Sequence, residues 1–114
     1  MKREQERSTK ISSPMFHVMV ALADEDRHGY AIMKEVSERT GGSVHLTAST
    51  LYGIIKRLLD DSWIVETTGR VALAGDDPRR RYYRLTPLGR REAQAEAGRM
   101  AQVLKVARTA LSER

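Results

Sequence analysis

Arginine is the residue whose type and spacing carry the most chemistry in this sequence. Between Arg70 and Arg91 stand seven arginines and two aspartates, Asp76 and Asp77, with no glutamate. Arg79, Arg80 and Arg81 are consecutive. A guanidinium is a planar, permanently charged fork of donors, suited to phosphate oxygens or to a narrow groove of negative potential. A second set lies upstream, where Ser49, Tyr52, Gly53, Lys56, Arg57 and Asp60 share one side of a helical pattern. From such a face Ser49 and Tyr52 meet base edges or phosphate, Lys56 meets a base or a phosphate, and Gly53 permits close backbone approach. Both sets also have plainer readings, as a solvated basic loop and as the polar face that any amphipathic helix needs.

Bond-making chemistry finds little support. The chain has no cysteine, which removes disulfides, thiolate catalysis and cysteine-ligated metals. Its three histidines, His17, His28 and His45, contain no pair at the i, i+4 spacing of a helical ligand pair. Asp24-Glu25-Asp26 reads as a helix end, Asp76-Asp77 as a turn, and Gly41-Gly42 forms no phosphate loop. No catalytic constellation can be drawn from the residue order. The expectation is a protein that is not an enzyme and carries no metal or cofactor.

The elements that position the basic groups follow from periodicity and caps. Ser13-Pro14 opens a first helix, with Met15, Phe16, Val18, Met19, Ala21, Leu22 and Ala23 on a wide apolar face. Arg27-His28-Gly29 reads as a polar turn. A second helix then runs from Tyr30 to about Arg39, its stripe formed by Tyr30, Met33 and Val36 with Ile32 on the flank. Thr40-Gly41-Gly42-Ser43 closes it. Thr47 caps a third helix whose Leu51, Ile54, Ile55, Leu58 and Leu59 face inward. Trp63–Thr67 and Arg81–Leu85 read as two strands of a hairpin around the turn material Gly69–Pro78, with Arg81, Tyr83 and Leu85 on one face and Tyr82 and Arg84 on the other.

Thr86-Pro87 repeats the cap-and-proline device and opens a last helix. Within it Ala93, Ala97, Met100, Leu104, Ala107 and Leu111 form a heptad seam roughly 28 Å long at about 1.5 Å per residue. That is more than a three-helix domain covers, and it predicts a dimerisation helix in place of one packed only on its own domain. The chain thus divides into a charged flexible arm at 1–11, a DNA-binding domain at 12–86 and a dimerisation helix at 87–114. Three helices followed by a hairpin make a winged helix-turn-helix, a mainly α fold in which the third helix enters the major groove.

Composition agrees. The 114 residues carry 20 Lys and Arg against 15 Asp and Glu, a formal net charge of +5. With pI near 9.9 an anionic partner is expected, nucleic acid ahead of a membrane surface. Six aromatic residues in 114 argue against a large aromatic-lined cofactor cavity. No apolar run approaches the roughly 20 residues of a membrane span. A cytoplasmic location is the default expectation.

From about Pro14 to Arg91 the sequence resembles the PadR family of bacterial transcriptional regulators. The resemblance lies in HGYAI at His28–Ile32, STLYGIIKRLLDD at Ser49–Asp61 and, above all, RRRYYRLTPLGR at Arg79–Arg90. It implies a dimeric winged-helix repressor of the short-tailed subgroup. It maps DNA contacts onto Ser49, Thr50, Tyr52 and Lys56 and onto the wing arginines Arg70, Arg79, Arg80 and Arg81, with Tyr30 and Tyr83 as core or supporting groups. The family usually has glycine where Ser49 stands and proline where Gly53 stands, so operator preference does not transfer. Its glycine-leucine-isoleucine approach to the first wing strand appears here as Ser62-Trp63-Ile64, with Trp63 covering the core.

Some members of the family sense flat aromatic compounds at the dimer interface. The last helix here has no aromatic residue, leaving Met15, Phe16, Met19, Met100 and Leu104 as lining for a small apolar effector, or as ordinary core and interface. Two other functions compete with sequence-specific repression. One is a winged-helix protein-interaction module that has lost DNA binding, motivated by Ser49 and Gly53. The other is a non-specific nucleic-acid packaging protein.

Overall fold

The computed structural model describes residues 11–67 and 80–112. Among these the order is α1 (Ser13–Ala21), β1 (Arg27–His28), α2 (Gly29–Arg39), α3 (Ala48–Asp60), β2 (Ile64–Thr67), β3 (Tyr82–Leu85) and α4 (Pro87–Ala110). The arm at 1–10 and the wing tip, including Arg70, Arg79 and the Gly69–Pro78 turn material, lie outside the described residues. The sheet is antiparallel in the order β1-β3-β2.

Each helix starts where a side-chain acceptor meets the orphan amides of its first turn. Ser12 caps α1 through Met15 N, at 3.3 Å; the cap sits one residue before the expected Ser13. Thr47 caps α3 and Thr86 caps α4, as their sequences predict. Helices α2 and α3 end alike. Gly41 and Ser62 take positive φ, both 62°, while Gly42 N reaches Ser37 O at 2.7 Å and Trp63 N reaches Leu58 O at 2.9 Å. Both are Schellman endings, and the second places a serine in the left-handed region that glycine fills without strain.

The core joins Val18 and Met19 of α1, Ile32 and Val36 of α2, Leu51, Ile55 and Leu58 of α3, and Trp63 and Ile64 at the start of the wing. Ile11, just before α1, and Ala93, near the start of α4, pack against it.

Four expectations need correction. Arg27-His28 is a strand, paired as Arg27↔Tyr83 and His28↔Tyr82, because β3 presents an edge on which two residues suffice. Tyr30 is 63% exposed; the buried line of α2 is Gly29, Ile32 and Val36, and Tyr30 points about 100° away from it. Leu59 lies at the rim of α3, outside its buried centre, for the same angular reason. Tyr82 is buried along with Tyr83, because the His28 ring on β1 meets it edge-on at 5.2 Å.

The turn after α1 is tied down by arginines from three elements. Arg27 Nε donates to Ala21 O and Arg90 Nη2 to Ala23 O, each at 2.7 Å, complementing the carbonyl end of α1. Arg84 forks onto Asp26 at 3.1 and 2.9 Å. The wing and the last helix are thereby bonded to the turn that leads into β1.

Candidate nucleic-acid interface

Helix α3 presents its polar side as expected. With Leu51, Ile54, Ile55 and Leu58 buried, Ser49, Thr50, Tyr52, Gly53, Lys56 and Asp60 are exposed. Thr47 Oγ1 accepts from Thr50 N and donates to Thr50 Oγ1, both at 3.1 Å, which fixes the first turn. Lys56 Nζ lies 3.4 Å from Asp60 Oδ2, with both side chains well exposed, a pair worth at most about 1 kcal/mol that does not tie the ammonium down.

Gly29 stands at the first position of α2 because the Tyr52 phenol occupies the space its side chain would need. The two family-like stretches HGYAI and STLYG therefore meet at one contact. Beside them run Arg80 and Arg81, both exposed, at the approach to β3. His28, Gly29, Tyr30, Tyr52, Arg80 and Arg81 together line one depression of about 350 Å³, floored by Tyr83. The start of α2, the outer face of α3 and the base of the wing thus form a single surface.

Within it Arg81 Nη1 pairs with Glu66 of β2 at 3.3 Å, and Arg80 Nη1 lies 3.0 Å from His28 Nε2. Burial pushes the Tyr83 phenol above its ordinary value, with Glu66 and Tyr52 acting in the same direction and Arg81 against it. The hydrogen bond from Arg84 to Asp26, reinforced by their charges, raises the guanidinium further still.

The sequence reading missed His28 and placed Tyr30 among the supporting groups; both belong to this surface. The signal was the position of His-Gly-Tyr at a helix start, where a histidine serves as cap and a tyrosine projects past the first turn.

The seam and effector residues separate in the folded chain. Ala93 packs on its own core, and Ala97 lines a shallow groove of about 180 Å³ between α1 and α4, with Phe16, Met19 and Gln94. Met15 and Met19 are enclosed in the core. Met100 and Leu104 stand farther along α4, 40% and 51% exposed, and do not reach that groove. Val103, Val106 and Leu111 are exposed beside them, Ala107 is half-buried, and Leu111 falls just past the helix as its cap. Among the described residues no helix is long and apolar enough to cross a membrane, and no group of three acidic or histidine side chains is placed to hold a metal.

A model of the transcriptional regulator PadR-like family matches residues 18–95. An uncharacterised protein of Lysinibacillus sphaericus is 36% identical over 73 residues, which span 64% of each chain. A PadR family transcription regulator of Clostridium difficile shares the fold at TM-score 0.75, with 27% identity over 89% of this chain and 100% of that one. Bacillus subtilis PadR, in complex with operator DNA, aligns at TM-score 0.64 and 22% identity, over 75% of this chain and 47% of that one.

Proposed function

The chain belongs to the PadR-like family of transcriptional regulators, a DNA-binding winged-helix family, and we propose that it is a sequence-specific repressor that binds a palindromic promoter operator as a homodimer. The observation that carries the reading is the single surface on which the exposed row Ser49, Tyr52 and Lys56 lies beside Arg80 and Arg81. Helix α3 enters the major groove, where Ser49, Thr50, Tyr52 and Lys56 reach bases and phosphates. The wing arginines, Arg70 and Arg79 included, follow the backbone. Operator binding by the Bacillus subtilis protein supports duplex DNA as the partner.

Helix α4 supplies the dimer contact through Met100, Leu104, Ala107 and Leu111, with Ala97 where the two copies approach. The exposed apolar row along the second half of that helix supports this. Two-fold symmetry then spaces the half-sites by about one helical turn, roughly 10 bp, or a multiple of it.

The experiment is binding to the duplex upstream of the protein's own gene, against a scrambled duplex, at two salt concentrations. Selective binding that weakens steeply with salt is the expected result. Equal binding to both duplexes would replace the repressor with a packaging protein, and binding to neither would favour a protein-interaction module.

A further inference from the structure

Two arginines of the wing, three residues apart, use their guanidinium forks differently. Arg84 lays its Nε and Nη2 on Asp26, at 3.1 and 2.9 Å, a bidentate pairing that spends the fork inside the domain. Arg81 meets Glu66 through Nη1 alone, at 3.3 and 3.4 Å from the two carboxylate oxygens. Its Nε and Nη2 bond to none of the described residues, and its side chain is 70% exposed.

The sheet register sets where this pair lies. Ile64 faces Leu85 and Glu66 faces Tyr83, so these four residues share one side of the wing. On that side Ile64, Tyr83 and Leu85 are buried in the core with the helices. Glu66 stands at its exposed outer end, and Arg81, two residues ahead of Tyr83, meets it there. Arg81 and Tyr83 line the same depression as Tyr52 of α3. A planar guanidinium held at Nη1 keeps its Nε–Nη2 edge for two oxygens of another anion, and phosphate fits that edge.

We infer that Glu66 is a positioning residue for nucleic-acid binding, which aims the Nε–Nη2 edge of Arg81 at a backbone phosphate passing between the wing and α3. The inference rests on the DNA-binding reading for that phosphate. It gives an acidic residue a favourable part in holding an anion, because an arginine already ordered by Glu66 loses less side-chain freedom when the duplex binds.

Glu66→Gln and Glu66→Ala remove the same charge, and only glutamine keeps an oxygen for Arg81 Nη1. The measurement is affinity of the full chain for the duplex upstream of its own gene, for both variants, with and without Arg81→Ala. Glu66 is exposed, so both variants should melt like the unsubstituted chain. E66Q should bind about fivefold more tightly than E66A, the cost of ordering one long side chain. In the R81A background the two should bind alike. R81A alone should lower the log–log salt slope by about 0.9.

A surface that is merely more positive would strengthen E66Q and E66A equally, and that result would overturn the role of Glu66. A difference that survives R81A would overturn it as well, since Glu66 would then act without the arginine. An unchanged salt slope in R81A would take Arg81 off the phosphates, and Glu66 with it. If the unsubstituted chain binds no duplex, it is the DNA reading that fails, and inorganic phosphate then decides the role of Glu66 by NMR. An Arg81 Nε–H resonance that moves with phosphate in E66Q and less in E66A keeps the positioning for another phosphate source; equal movement, or none, overturns it.

Discussion

The phenol of Tyr52 lies over Gly29, where any side chain at residue 29 would have to go. This contact ties the outer face of α3 to the first turn of α2 and sets where the tyrosine hydroxyl is presented. Tyr52 is half exposed, so it can swing outward when pushed. Gly29→Ala is therefore expected to change stability by no more than about 1 kcal/mol while weakening duplex binding. The same substitution in a Tyr52→Ala background should add nothing further, and a double-mutant cycle on duplex affinity measures this. Additive losses would show that Gly29 acts without the tyrosine.

Ser62 holds φ of 62° at the end of α3. A left-handed conformation disfavours an L residue by about 1–2 kcal/mol, part of which glycine returns through its own flexibility in the unfolded chain. Ser62→Gly should raise stability by about 1 kcal/mol in urea unfolding, and Ser62→Ala should give no such gain. Equal behaviour of the two variants would mean that the serine side chain relieves the strain itself.

Leu104 is half exposed in the middle of the apolar row on α4. In the proposed dimer, Leu104→Glu places a charge in the seam. Sedimentation should then show monomers with intact helical content and weak duplex binding. A variant that stays dimeric would move the interface off this row.

Burial raises the folded-state pKa of Tyr83 above its ordinary 10.0. A group raised on folding contributes its full stability below the unfolded value, and loses it as pH rises through the folded one. Unfolding midpoints should therefore fall as pH rises past 10.0, and Tyr83→Phe should flatten that fall. An unchanged slope in the phenylalanine variant would assign the alkaline loss to other groups.

The elements legible in the sequence were those whose information is local. Leu51, Ile54, Ile55 and Leu58 mark α3 by spacing alone, and Thr86-Pro87 announces α4 to the residue. Strand β1 has no such mark, since two residues show no alternation and their partner, β3, is far along the chain; His28 and Arg80 are 52 residues apart. Tyr30 misled because an apolar ring at a plausible spacing looks like core, when only the angle to Ile32 and Val36 decides its side. The arginines and the row on α3 could be named from sequence. That they share a surface with a helix-capping histidine depended on the β1–β3 pairing, which no local pattern encodes.

Trp63 is the sole tryptophan of the sequence, and it is 3% exposed where α3, β2 and α4 meet. Its carbonyl accepts from Thr86 N at 3.0 Å and abuts Gly89, so α4 is seated directly on it. The chain therefore carries its own optical gauge at that joint. Indole fluorescence should shift to the red when α4 lifts from the body of the domain, and should respond little to events confined to the wing tip. A signal strung along α4 and a signal from the wing would in this way be told apart by the colour of one residue.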